Sequence, residues 1–221
     1  YLERTKDLIE AGCDIICIDV AHGHHELCGA AVSKIKSIYP GVDIIAGNVC
    51  TAEGVEYLAR AGADCIKFQL FDENNLVSKE GNTGCLTIYD SILNDVKVFA
   101  NNSNCEDGIN IVNSQGNISE IFIKNSVSDA LDVDFSNLTI ENLKVENAIN
   151  DCIDFSGGSY YLKNLFLRNC TDKALSAENS NIKAENLKIF NSYYGIASKD
   201  FSFIELAKVN FKNVEICIDA Y

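Results

Sequence analysis

Asn110, Asp132 and Asp154 recur at steps of 22 residues, and Asp134 stands two places after Asp132. If the chain winds with that period, such residues stack in one column about 5 Å apart. Stacked carboxylates repel one another, which a cation such as Ca2+ relieves. A carboxylate pair at a defined separation can also cleave a glycosidic bond. Asp132, Asp134 and Asp154 are therefore the candidate catalytic residues of this part of the chain. The plainer reading is that they are solvated corner residues, because Asp is common where strands meet turns, and the sequence favours it. Tyr160, Tyr161, Tyr193 and Tyr194 could stack on sugar rings, but covering coil corners explains them more simply. His22 and His24 form an H-x-H pair beside His25. Adjacent residues rarely aim at one ion, and no Cys or carboxylate at ligand spacing completes the set, so no metal is expected. Cys85 follows Gly81 and Gly84, yet no Lys, Arg or His stands beside it to lower its pKa, so it reads as a weak nucleophile.

The elements that position these residues differ between the two parts of the chain. In residues 1–68, apolar runs alternate with helical segments. Residues 2–11 form a helix with Leu8 and Ile9 on its apolar face, stopped by Gly12. DIICID (14–19) and DIIAG (43–47) read as strands covered on both faces, and DCIKF (64–68) opens a third. Residues 29–39 are helical, and Thr51 caps a helix that runs to Arg60 with Gly62 after it. Strand–helix alternation implies a parallel sheet with right-handed crossovers. Asp19 and Asn48 then sit at strand ends, where a polar residue either caps the loop or faces a ligand.

EAGCDIICIDVAHGH (10–24), IYPGVDIIAGNVCTAEG (38–54) and ARAGADCIK (59–67) occur in an order and spacing that resemble a segment of the IMP dehydrogenase/GMP reductase family. The resemblance covers roughly residues 1–67 and implies part of a β/α barrel, with ligands at the carboxyl ends of its strands. It implies NAD(P) as cofactor and assigns Asp19, Ala21, His22 and Gly23 (with His24) to the nicotinamide ribose side. Gly47 and Asn48 would approach the reacting centre. After its third motif the family carries a glycine-rich phosphate loop ending in a nucleophilic cysteine. Here the chain reads FQLFDENNLVSKEGNTGCLT (68–87), with only a displaced echo at Gly81, Gly84 and Cys85. Intact dehydrogenase or reductase chemistry is not expected.

Residues 69–83 form a junction, and residues 84–221 repeat. Asn125, Asn147, Asn169, Asn191 and Asn213 are spaced by 22 residues, with Asn102 one step of 23 before them. Ile121, Leu143, Leu165, Leu187 and Val209 share the step, and Ile123, Val145, Leu167, Ile189 and Phe211 follow two places behind. Alternation within LKV and LFL is the period of a strand. Fixed self-similarity at this length marks a solenoid. Short strands, Gly/Asn/Asp/Ser corners and an asparagine ladder predict a right-handed parallel β-helix of about six coils. Asn suits such corners because it tolerates left-handed geometry and both donates and accepts. The pattern resembles the pectin-lyase-like superfamily, which implies a fold rather than a reaction. Residues 84–221 contain no Gly-His-Gly or Arg-x-Lys element of the polygalacturonase kind.

The formal charge of −14, of which −4 lies in residues 1–68, makes nucleic acid and anionic membranes poor partners. No apolar run reaches the ~20 residues of a spanning helix. Several of the 10 cysteines (Cys17, Cys65, Cys152, Cys217) sit in apolar runs, where a free thiol acts as a small hydrophobe. Reduced cysteines and an intracellular setting are expected. The last coil looks uncapped, which points to a missing segment or a protein partner there. Three readings follow: a β-helix structural or interaction module, a nucleotide-binding oxidoreductase fragment, and a carbohydrate-binding or carbohydrate-active β-helix. The abrupt seam also fits a composite chain.

Overall fold

The computed structural model describes residues 1–68 and 83–221. The chain divides into two compact units, Tyr1–Phe71 and Asp72–Tyr221. The expected junction, including Gly81, lies outside the described residues apart from Thr83.

In the first unit, β1 (Ile15–Asp19), β2 (Asp43–Val49) and β3 (Cys65–Phe68) pair in parallel in the order β1-β2-β3. Helices α1 (Leu2–Glu10), α2 (Glu26–Ile38) and α3 (Ala52–Ala61) alternate with them. Thr51 accepts a hydrogen bond from Gly54 N, and Gly62 closes α3 at φ 101°, so both expected stops hold. α2 begins earlier than expected because the His25 side chain accepts from Leu27 N as its N-cap. The core is formed by Ile16, Ile44 and Ala46 of the sheet with Val32, Ile35 and Leu58 of the helices. Two expectations need correction. β1 is not covered on both faces: Ile16 is buried, whereas Ile15 is 55% exposed and Cys17 is exposed. The helices contribute to one cluster against one side of the sheet, and an Ile-rich run does not reveal that. In α1 the buried residue is Thr5, and Leu8 is exposed.

The second unit is a mostly-β parallel solenoid of about seven turns, one more than expected. Its strands are β4 (Gly84–Tyr89), β5 (Ile92–Ser103), β6 (Asp107–Val112), β7 (Gln115–Ser126), β8 (Asp129–Ala148), β9 (Ile153–Lys199) and β10 (Phe203–Ala220). The longest strands run round corners, so one strand serves more than one ladder. Every pairing is parallel, and Leu131↔Ile153, Leu143↔Leu165 and Val209↔Leu187 show the register of 22. Three ladders result. The first joins residues 84–89, 107–112, 129–134 and 153–156. The second contains Ile118, Ile140 and Leu162, and the third Ile121, Leu143 and Leu165. Inward side chains of all three merge into a single apolar cluster.

Side-chain ladders hold the corners. Nδ2 of Asn125, Asn147, Asn169, Asn191 and Asn213 each donates to Oδ1 of the preceding ladder asparagine, at 2.7–3.0 Å. All of them have φ between 55° and 66°, a left-handed geometry that Asn accepts readily. A second ladder escaped the sequence reading: Asn164 Nδ2 donates to Asn142 Oδ1 at 3.2 Å and Asn186 Nδ2 to Asn164 Oδ1 at 3.3 Å. Serines stitch a further corner, where Ser91 N donates to Ser114 Oγ, Ser114 N to Ser136 Oγ, and Ser180 N to Ser202 Oγ. Gly158 interrupts this series. A Cβ there would meet Ser136 O at 2.0 Å, and φ is 104°, so only glycine fits. Tyr160 fills the vacant position: Ser136 N donates to its hydroxyl at 3.4 Å, and the hydroxyl reaches Val133 O and Gly157 O. Tyr160 is 3% exposed and packs on Phe155 at 4.3 Å, so it is a core residue and neither covers a corner nor offers a face to a sugar.

The cysteines correct another expectation. Cys85–Cys105 and Cys152–Cys170 are disulfides, while Cys13, Cys17, Cys28, Cys50, Cys65 and Cys217 are free. Cys152 is thus a crosslink between neighbouring segments of the coil and not a buried thiol. Among the described residues no helix is long and apolar enough to cross a membrane.

Candidate functional site

Strand ends gather the expected ligand-facing residues of the first unit. Asp19 closes β1 and pairs in register with Gly47 of β2. Lys67 Nζ lies 2.7 Å from Asp19 Oδ2, and Asn48 Nδ2 donates to Asp19 Oδ1 at 3.4 Å. Gly23 N donates to Asn48 O at 2.6 Å, which folds the loop after β1 back onto β2. A Cβ on Gly47 would meet Lys67 O at 2.5 Å, so glycine is required where β2 approaches β3. The Gly47–Asn48 peptide is cis. Asn48 Oδ1 is buried without a hydrogen-bond partner. Asp19, Asn48, Gly23 and Gly47 are therefore brought together, while Ala21 and His22 are exposed on the loop beside them. Sequence reasoning passed over Lys67 as a site residue, although it stands in the quoted third motif. The histidines diverge: His24 lies against the Tyr57 ring at 5.2 Å and His25 caps α2. No group of three His, Cys, Asp or Glu side chains among the described residues is arranged to hold a metal.

On the solenoid the acidic column is real but less solvated than the alternation suggested. Asn110 pairs with Asp132, and Asp132 with Asp154, in the first ladder. Asn110 is 3% exposed, and its Nδ2 donates to Asp132 Oδ2 at 2.9 Å and Asp134 Oδ2 at 3.2 Å. Asp132, Asp134 and Asp154 are half-buried. Burial, then the charges of Asp134 and Asp107, push the Asp132 carboxyl up to about 8. Asp134 is raised too, first by burial, with hydrogen bonds from Asn110 and Asp132 opposing. One Oδ of Asp154 is buried without a partner.

A neighbouring acidic corner was missed, although its step of 22 was visible. Asp129 Oδ1 accepts from Asp151 N at 2.8 Å, and Asp151 Oδ1 from Lys173 N at 2.9 Å. Burial raises Asp107 and Asp151 to about 6, and Lys173 Nζ lies 3.3 Å from Asp151 and 2.6 Å from Asp172. Elsewhere a groove of about 290 Å³ runs beside the ladder asparagines Asn102, Asn125 and Asn147, with Val127 and Ile149 on its rim.

The three sequence blocks and the α/β order of the first unit carry a recognisable family signature. Residues 1–70 match the IMP dehydrogenase / GMP reductase domain. This IMP dehydrogenase-like segment is 53% identical over 66 residues to inosine-5'-monophosphate dehydrogenase of Aquifex aeolicus, and 50% identical over 66 residues to that of Bacillus subtilis. Each alignment covers 30% of this chain and 14% of the relative. The chain thus spans about a seventh of the length of these curated relatives. A solved GMP reductase of Trypanosoma brucei, in complex with guanosine 5'-monophosphate, shares 45% identity with a TM-score of 0.30, covering 30% of this chain and 14% of that one.

Proposed function

We propose that the chain is a β-helix structural or interaction module whose IMP dehydrogenase-like segment has no dehydrogenase or reductase activity of its own. The observation that carries this reading is Cys85. It is the nearest cysteine after the third family motif, and its Sγ is bonded to Cys105 as part of the coil. A disulfide sulfur offers no thiolate to attack a purine. The family match ends at residue 70, and the next described element is the first rung of the solenoid. Asp19, which a nicotinamide ribose would need, is already held by Lys67 and Asn48. Both disulfides lie in the second unit, beside the free Cys217, while Cys13, Cys17, Cys28 and Cys50 of the first unit are free, in keeping with a composite chain. The test is to mix the chain with IMP and NAD+, or with GMP and NADPH, and to follow nicotinamide absorbance and thermal unfolding. Neither signal should change, and turnover or a ligand-dependent rise in unfolding temperature would refute the reading.

A second reading, a carbohydrate-active face, is favoured by Asp132. With its pKa near 8 it keeps a proton at neutral pH, as a general acid must. Asp154, one coil along, supplies a second carboxylate in register. Asp132→Asn and Asp154→Asn should each abolish any glycan cleavage the chain shows. Cleavage that survives both substitutions rules this face out.

A further inference from the structure

The outer side of the third ladder departs from the charge of the rest of the chain. Between the buried Val98, Ile121, Leu143 and Leu165 and the residues that follow them, alternation turns Phe99, Phe122, Lys144 and Phe166 outward in one register. Successive coils contribute the cations Lys97, Lys124, Lys144, Arg168, Lys188 and Lys212, all exposed. Glu120 and Glu146 are the acids in the same columns, and Glu146 is paired with Lys144 at 3.3 Å. Lys144 Nζ lies 4.7 Å from the Phe122 ring centre and 5.7 Å from that of Phe166, and Phe166 packs on Phe190 at 5.3 Å. A chain of net charge −14 therefore presents one flat cationic face set with aromatic rings.

The outer side of the first ladder is its opposite. Asp134, Asp154, Glu178 and Asp200 fall in two adjacent columns that contain no Lys or Arg, beside Asp132, which keeps its proton at neutral pH. Both tracks belong to the same coil, so both repeat along the axis at about 4.8 Å.

We propose that the cationic face of the third ladder docks against the acidic face of the first ladder on a second copy of this chain, laying two solenoids side by side. This rests on the reading of the solenoid as an interaction module and names its partner. Equal repeats let a cation meet an acid on each of the four coils that carry Asp134, Asp154, Glu178 and Asp200 without a change of register, which an α-helix or an extended peptide, with rises of about 5.4 Å per turn and 6.8 Å per same-face pair, does not match. The phenylalanine rings supply the apolar centre that charged pairs alone lack. At about 0.1 M salt the repulsion between two acidic chains is screened beyond about 10 Å, whereas pairs in contact persist. The contact uses different surfaces on the two copies, so each pair leaves one face of each kind free and further copies add laterally.

Sedimentation velocity of the full chain tests this. Reversible, concentration-dependent association is expected at about 0.1 M salt, with loss at about 1 M. Lys144→Glu with Lys188→Glu cancels the positive excess of the cationic face and should weaken self-association at least about tenfold. Glu178→Lys with Asp200→Lys offsets the negative charge of the other face and should do the same. An equimolar mixture of the two variants should associate again, a rescue that also shows both are folded. A wild-type chain that stays monomeric at low salt overturns the proposal, as does association that survives either reversal or a mixture that fails to recover it. The nucleotide experiment tests the underlying module reading separately, so the two failures are distinguishable.

Discussion

Replacing Asp132 by Asn should stabilise the solenoid, and more so as the pH rises. Asp132 has a folded pKa of about 8 against an ordinary value of 3.8, chiefly through burial and secondarily through the Asp134, Asp107 and Asp154 charges. A carboxyl raised in this way binds its proton more tightly in the folded than in the unfolded chain. Its destabilising effect is absent below the unfolded pKa, grows between 3.8 and about 8, and is constant above that. Taken at face value this is a ceiling of about 3 kcal/mol at about pH 6 and about 5 kcal/mol at about pH 8. The proton is shared with Asp134 and one side of the pair meets water, so about 1 and about 2 kcal/mol are the working values. An amide oxygen at this position still accepts from Asn110 Nδ2, so the 2.9 Å contact need not be lost. Urea unfolding followed by far-UV circular dichroism, on wild type and variant at both pH values, measures the difference. A variant less stable than wild type at the higher pH, or one with an unchanged pH slope, refutes the reasoning.

Asn169→Ala removes a ladder residue that donates to Asn147 and accepts from Asn191, both at 2.7 Å, at φ 58°. It should cost about 2–4 kcal/mol in the same urea assay, and Asn169→Gly about 1 kcal/mol less because the backbone conformation is then unstrained. Cys152→Ser with Cys170→Ser opens a crosslink with a sequence separation of 18 and should lower stability by about 3 kcal/mol; under reducing conditions, which also open Cys85–Cys105, wild type and variant should melt alike. Gly47→Ala places a methyl group against the Lys67 backbone, so the helical dichroism of the first unit should be lost by about 2 kcal/mol earlier in denaturant while the β signal is unchanged.

The solenoid was legible because its signals are repeated. The columns headed by Ile121 and Ile123 and the asparagines at left-handed corners are each stated several times by the sequence, and each carries its own packing or hydrogen-bonding reason. Caps at Thr51 and Gly62 were legible because they act within one turn. What failed was whatever depends on a neighbour that sequence spacing does not name. Alternation tells that Asp132 faces away from the core, but not that its surroundings leave it half-buried. An apolar β1 looks the same whether one or both faces are covered. Cys152 and Cys170 are 18 apart and not 22, so no column announces their bond. Tyr160 looked like a surface aromatic because its role is to answer a missing side chain two residues earlier, at Gly158.

That serine corner has a consequence for how such a chain can lengthen or shorten. Most coils present the same connectors above and below, so removing 22 residues between equivalent positions would join compatible ends, as dropping one bead from a string leaves the string whole. The coil holding Gly158 and Tyr160 is different, because Tyr160 serves Ser136 on the coil before. A deletion that takes Tyr160 but spares Ser136 must bring a serine into register to succeed. These two coils must therefore be kept or lost together, a constraint that the evenly repeated corners do not impose.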